Sequence, residues 1–208
     1  MLQPCEDLNL ILLHLGSGAS ICCIKRGKSL DTSMSLTPVD GLPGATRTGA
    51  IDPTAILHYM RKSGASIDDA EAELNSKSGW NTMTGTSSFG DVVASKEDKD
   101  KLAFDLVVDR VMNYVGAYWT KLEGEVDALV FAGGIGEKSP QLRARIAEKC
   151  RCLGVDLHDG CNLTNDTKEV RKAVRSIGDG RMKLLVVRTD EQYEMARQCS
   201  FDEELYTL

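Results

Sequence analysis

The sequence predicts an α/β fold: a three-stranded β-meander, then helices, then a β-α-β-α run, all within one domain. Three observations predict it. Short apolar runs closed by glycine or polar turns open the chain. A long middle stretch repeats apolar residues every three or four positions. Two later apolar runs each lead into a helix start. No repeat or composition break divides the 208 residues, a length suited to one ordinary core.

Residues 8–14 form the first strand, closed by Gly16 and Gly18, and residues 20–25 the second. Arg26-Gly27-Lys28-Ser29 is a turn, and 30–34 completes the antiparallel meander. Residues 36–53, rich in Gly and Pro, are an irregular loop. Asp52 before Pro53 is an N-cap with proline at the first helical position. That helix runs through Ile56, Leu57, Tyr59 and Met60 and stops near Gly64. Ser66-Ile67-Asp68-Asp69 opens a second helix with an acidic capping box, ending near Gly79. Residues 81–90, dominated by Thr, Ser and Gly, read as loop. The longest helix lies between Lys99 and Leu122, with Phe104, Val108, Val111, Val115 and Tyr118 on one face. A strand over 127–132 runs into Gly133-Gly134-Ile135-Gly136-Glu137, after which Ser139 caps and Pro140 starts a helix ending near Gly154. Residues 162–166 are polar loop and 182–187 the last strand. Thr189 or Asp190 caps a final helix through Met195.

Composition excludes several classes. Hydrophobic residues are 42% and charged residues 27%, which rules out wholesale disorder. With 31 acidic against 25 basic side chains the net charge is −6, which argues against a nucleic-acid partner. No apolar run approaches the roughly 20 residues that span a bilayer, so no membrane partner is expected. The first seven residues lack the basic region of a secretory signal. Seven cysteines, an odd number, point to reduced thiols and a cytoplasmic location. Cys150-Arg151-Cys152 is too tight for the usual zinc pair.

Three places could carry chemistry. In His14-Leu15-Gly16-Ser17-Gly18 the glycines would let backbone N–H groups approach an anion, and Ser17 adds a hydroxyl; a plain β-turn is the simpler reading of that segment alone. Gly134-Ile135-Gly136-Glu137-Lys138 follows a strand and precedes a helix, where main-chain amides can meet a phosphate or a nucleotide edge. It matches neither the Walker nor the Rossmann pattern. Arg47 sits between threonines in a Gly- and Pro-rich loop, where a planar fork of donors can reach a phosphoryl group or simply be solvated. Asp190-Glu191 reads first as a helix cap, and His58 and His158 carry no pattern.

Taken in order, these segments resemble acetate kinases. The resemblance rests on His14 to Gly18; Asp31 to Met34 with Leu36-Thr37-Pro38; Gly41-Leu42-Pro43 with Thr46 to Gly49 and Ile51-Asp52-Pro53; Phe131 to Glu137; and Arg188 to Glu191 with Met195-Ala196-Arg197. It covers essentially the whole chain, residues 1–208, but only the C-terminal lobe of that family. The implied fold is a ribonuclease-H-like lobe of the acetate and sugar kinase, Hsc70 and actin superfamily, with the N-terminal lobe absent.

The implied reaction is reversible phosphoryl transfer between ATP and acetate, giving acetyl phosphate, with Mg²⁺. By the family's motifs, His14, Leu15, Gly16, Ser17 and Gly18 contact nucleotide, as do Gly134, Ile135, Gly136, Glu137 and Lys138. Ser88, Phe89 and Gly90 stand where the family has an adenosine-contacting Asp-Phe-Arg. Arg47 would stabilise the phosphoryl group in flight, and Glu191 would help hold Mg²⁺. Ser17 replaces an Asn and Lys138 another Asn. Loss of the adenosine-side Arg resembles eukaryotic members, some of which use pyrophosphate instead of ATP. The resemblance further implies a homodimer through this lobe and a site completed by the N-terminal lobe. Other readings are a non-catalytic nucleotide-binding or dimerisation module, and a propionate or butyrate kinase.

Overall fold

The computed structural model describes residues 7–163 and 173–201. Seven strands form one sheet: β1 (Leu10–Leu15), β2 (Ala19–Lys25), β3 (Lys28–Thr32), β4 (Ala128–Ala132), β5 (Val155–Leu157), β6 (Val174–Gly180) and β7 (Lys183–Val187). Their order is β3-β2-β1-β4-β7-β6-β5. β1 pairs antiparallel with β2 and β2 with β3, so the meander is present. β1, β4 and β7 lie side by side and parallel, with Leu12 opposite Val130 and Val130 opposite Leu185. This is the strand order expected of a ribonuclease-H-like lobe. It brings the carboxyl ends of three parallel strands to one edge.

The alternating burial of β1, with Ile11, Leu13 and Leu15 covered, fixes its register, since a one-residue slip would expose all three. β4 is buried on both faces, as a central parallel strand should be. Helix α5 (Asp98–Lys121) lays Ala103, Val107, Val108, Val111, Val115 and Tyr118 onto the core. Each such larger side chain contributes about 1.5–3 kcal/mol of burial.

The caps read from sequence are present. Asp52 accepts from the Thr54 N–H at the start of α1 (Pro53–Ser63), and Gly64 ends it in the left-handed conformation. Ser66 and Asp69 form both halves of the capping box of α2 (Ile67–Ser76). Pro140 opens α7 (Pro140–Lys149), and a 3₁₀ turn over Cys150–Leu153 leads to the left-handed Gly154. Asp190 caps α9 (Glu191–Phe201) through the Tyr193 N–H at 3.0 Å.

Four readings need correction. Residues 81–90 are not loop: α3 (Gly79–Thr84) and α4 (Phe89–Ala94) occupy most of them. Packing drives these short helices, since the Phe89 ring meets Trp80 at 5.2 Å and Phe104 at 6.1 Å. The glycine stretch is itself a short helix, α6 (Gly133–Lys138), rather than a bare turn. β5 and β6 add two antiparallel strands between α7 and β7, so the chain does not run directly β-α-β-α. Asn162, read as loop, is buried in α8 (Asp159–Leu163), while 164–166 lie outside the described residues, as do the first six residues read for a leader.

The six cysteines among the described residues are all free. No helix among them is long and apolar enough to cross a membrane.

Candidate active site

The turn after β1, helix α6 after β4 and the loop after β7 issue from adjacent parallel strands, the usual place for a ligand in such sheets. The Arg47 loop is fastened to the first of these. The Ala45 N–H donates to the Ser17 carbonyl at 2.8 Å, and the Gly44 N–H to the Arg47 carbonyl at 3.0 Å. A Cβ on Gly18 would stand 2.9 Å from Arg47 Nη1, so the guanidinium lies directly over the Gly16–Gly18 turn. From the other side, the Thr48 N–H reaches Leu74 O, and the Ser78, Trp80 and Asn81 amides reach Thr46, Gly44 and Ala45 carbonyls. Gly79, at φ +71° and with a virtual Cβ 2.2 Å from Gly44 O, is needed for that approach. The loop is thus rigidly built. Yet the half-buried Arg47 guanidinium takes no partner among the described residues. Five donors held over a glycine turn and left unpaired suit an anion.

Gly133 closes α6 onto β1. It sits at φ +75°, and a Cβ there would lie 2.7 Å from Leu15 O. Gly134 is different: it is exposed, and a Cβ would meet nothing within 4 Å. Gly136 is buried but would make only ordinary contacts at 3.6–3.7 Å. The fold therefore demands glycine at 133 and not at 134. Gly133→Ala is expected to lower stability by on the order of 2 kcal/mol, while Gly134→Ala leaves the melting temperature within error. Thermal unfolding of the two variants followed by circular dichroism checks this, and an equal loss in both would contradict it.

Beneath α6 lies Arg143, only 2% exposed. Its Nη1 donates to the Gly136 and Glu137 carbonyls at 2.8 Å each, Nε to Asn162 Oδ1 at 2.8 Å and Nη2 to Asn162 O at 2.9 Å. Asn162 Nδ2 in turn donates to Pro140 O. The carbonyls at the end of a helix carry partial negative charge, and they take the place of a counter-ion here. Burial, with a smaller push from Arg175, lowers the Arg143 guanidinium to about 10. Sequence reasoning missed both residues. One signal was available: Arg143 falls in the stripe with Leu142, Ile146 and Ala147, where an apolar residue is expected. Arg143→Met leaves several buried carbonyls without a donor and should cost about 3 kcal/mol. That corresponds to a fall of roughly 6–12 °C in Tm; an unchanged Tm would contradict the role.

The other residues singled out fall as follows. His14 is partly buried at the end of β1, opposite Ser20 and Ala132. Leu15 and Phe89 turn their side chains into the core, so only their main chains can meet a ligand. The Gly16 N–H is spent on Gly18 O, while Ser17 is exposed. Ser88 Oγ caps α4 by accepting from the Asp91 N–H at 3.3 Å, and Gly90 is exposed. Trp80 links this segment to the Arg47 loop: its ring meets Phe89, its indole N–H donates to Ser87 O, and its main-chain N–H donates to Gly44 O. Ile135 is partly buried and packs against the core, and Lys138 is exposed at the end of α6. The Glu137 carboxylate is engaged with Thr189, taking its N–H at 3.1 Å and its hydroxyl at 3.2 Å. Glu191 is exposed at the start of α9 and has no partner among the described residues. A single exposed carboxylate without a partner among the described residues has the donor chemistry that Mg²⁺ accepts, since that ion commonly takes one or two protein oxygens and completes its shell with water and phosphate.

Comparison with known proteins shows the family. The model of the acetokinase family matches residues 1–197. The chain is 46% identical over 211 residues to a probable acetate kinase of Emericella nidulans, covering 95% of this chain and 50% of that one. The crystal structure of Porphyromonas gingivalis acetate kinase matches with a TM-score of 0.84 at 32% identity, over 93% of this chain and 48% of that one. A propionate kinase from Francisella tularensis matches with a TM-score of 0.79 at 33% identity, over 89% and 47%. The chain spans about half the length of the curated relatives it matches. With the family model matching residues 1–197 and a solved acetate kinase superposing at a TM-score of 0.84, this chain belongs to the acetokinase family.

Proposed function

We propose that residues 1–208 are the C-terminal lobe of an acetate kinase and form the phosphate-handling wall of a cleft completed by an N-terminal lobe. An acetate oxygen attacks the terminal phosphorus of ATP, the bond to ADP breaks, and acetyl phosphate leaves; the reverse step regenerates ATP. Pyrophosphate is the alternative donor, favoured by the absence of charge at Ser88 and Gly90. The observation that carries this reading is Arg47, fixed over the Gly16–Gly18 turn with its guanidinium unpaired among the described residues.

In this scheme the His14–Gly18 and Gly134–Lys138 segments hold the donor's phosphates, largely through main-chain amides. Arg47 stabilises charge that develops on the transferring group, an interaction that strengthens toward the transition state. Glu191 would hold Mg²⁺, which when bound neutralises phosphate charge. Positioning of the acceptor is left to the opposite wall.

Two further features bear on partners. Helix α1 buries none of its residues, and Ile51 and Leu57 are about half exposed. That surface favours a homodimer through this lobe. The match to a propionate kinase keeps a longer acyl acceptor as the second reading.

The test mixes this chain with a separately expressed N-terminal half of an acetate kinase relative and traps acetyl phosphate as the hydroxamate. Activity that requires both halves supports the proposal. Two folded halves that associate and still produce no acetyl phosphate from either donor would refute it.

A further inference from the structure

Glu137 is held from two directions. Its main-chain carbonyl accepts from buried Arg143, while its carboxylate Oε1 accepts from the N–H and the hydroxyl of Thr189, across 52 residues of chain. Thr189 stands two residues before Glu191, and the Asp190 between them caps α9. One side chain therefore ties the glycine helix after β4 to the loop after the neighbouring parallel strand β7. A carboxylate only accepts hydrogen bonds, so it is a poor partner for phosphate oxygens. Two donors from Thr189 satisfy it instead.

We propose that Glu137 is a positioning residue: it locks the Thr189–Glu191 loop onto α6, so that the phosphate-facing main chain and the metal-side carboxylate move as one unit. Arg143 fixes the same residue from the buried side and makes α6 the stationary member. The functional consequence rests on the phosphotransferase reading; the clasp itself does not. With the loop fixed, Glu191 enters Mg²⁺ binding already placed, which saves the cost of ordering it on binding.

The experiment compares the 208-residue chain with Glu137→Ala and Thr189→Val by hydrogen–deuterium exchange and by titration with pyrophosphate and with ATP, each in Mg²⁺ and in EDTA. Exchange at the first-turn amides of α9 is expected to rise about tenfold in Glu137→Ala and less in Thr189→Val, which keeps one donor. Exchange in β1 and in 44–48 should stay unchanged. The gain in affinity on adding Mg²⁺ should shrink about three- to tenfold in Glu137→Ala and in the same direction in Thr189→Val, exceeding any loss seen in EDTA. Unaltered exchange at α9 overturns the clasp regardless of ligand. Affinity lost equally with and without Mg²⁺ in Glu137→Ala, with Thr189→Val silent, makes Glu137 a nucleotide contact and likewise overturns it. Altered exchange with no binding by wild-type chain would instead leave the clasp standing and defeat the phosphotransferase reading.

Discussion

The 208-residue chain on its own is expected to make no measurable acetyl phosphate. The groups proposed for phosphate and metal lie at the carboxyl ends of β1, β4 and β7 and in the Arg47 loop fastened over the first of them. Acetate is a small anion with little binding energy of its own, so its attack depends on groups that hold it in line. Such placement can supply roughly 7–11 kcal/mol of barrier lowering. Without the second wall proposed above, that contribution vanishes, and water has open access to the phosphoryl group. The hydroxamate assay on the purified chain should stay at background with ATP and with pyrophosphate. Robust turnover by this chain alone would mean that its own residues position the acceptor.

The second large effect falls on Arg47. In a chain carrying both lobes, Arg47→Ala should lower turnover on the order of 10²- to 10³-fold, about 3–4 kcal/mol, with donor affinity changed little. The loop around it should survive. Its bonds to Ser17, Leu74, Ser78, Trp80 and Asn81 use main-chain atoms, and the guanidinium holds no other residue among those described. Arg47→Lys should recover only part of the loss, because a single ammonium cannot reproduce the planar fork. Steady-state kinetics check both variants. Near-normal turnover in Arg47→Ala removes the residue from the mechanism.

Much of the fold is legible in the residues themselves. Asp52, Pro53 and Gly64 bracket α1, and Ser66 with Asp69 opens α2, because caps are local chemistry that any context preserves. α5 is legible because its stripe of valines extends over many turns. What escapes is structure imposed from a distance. β6 reads Val-Arg-Ser-Ile-Gly-Asp-Gly, which strand propensity rejects; it is a strand because β5 and β7 flank it and Ile177 is buried. α6 contains three glycines in six residues, yet it is helical because Gly133 can adopt a positive φ against Leu15 and Arg143 ties its last carbonyls.

The site divides the same way. Arg47 and the glycine turns announce themselves through Gly, Pro and a lone cation. Glu191 was visible only as a helix-start acid. The Arg143–Asn162 network was invisible because its logic is mutual satisfaction of buried polar groups, contributed by residues 19 positions apart. The sequence leaves either Thr189 or Asp190 as the cap of α9, and Asp190 takes that role. Thr189 instead donates to Glu137, a bond that depends on β4 and β7 being neighbours, which no local pattern encodes.

The central claim is that this chain alone carries a phosphate-binding site built from the Arg47 loop and the glycine helix. Calorimetric titration of the 208-residue chain with ATP and with pyrophosphate, in Mg²⁺, tests it most directly, with Gly134→Val as the control. A Cβ at Gly134 would meet nothing within 4 Å and the residue is exposed, so that variant should melt at the wild-type temperature while occupying the space a phosphate needs. The account predicts saturable one-to-one binding of at least one donor by the wild-type chain and its loss in Gly134→Val. No binding of either donor, or equal affinity in a Gly134→Val chain of unchanged melting temperature, would contradict it.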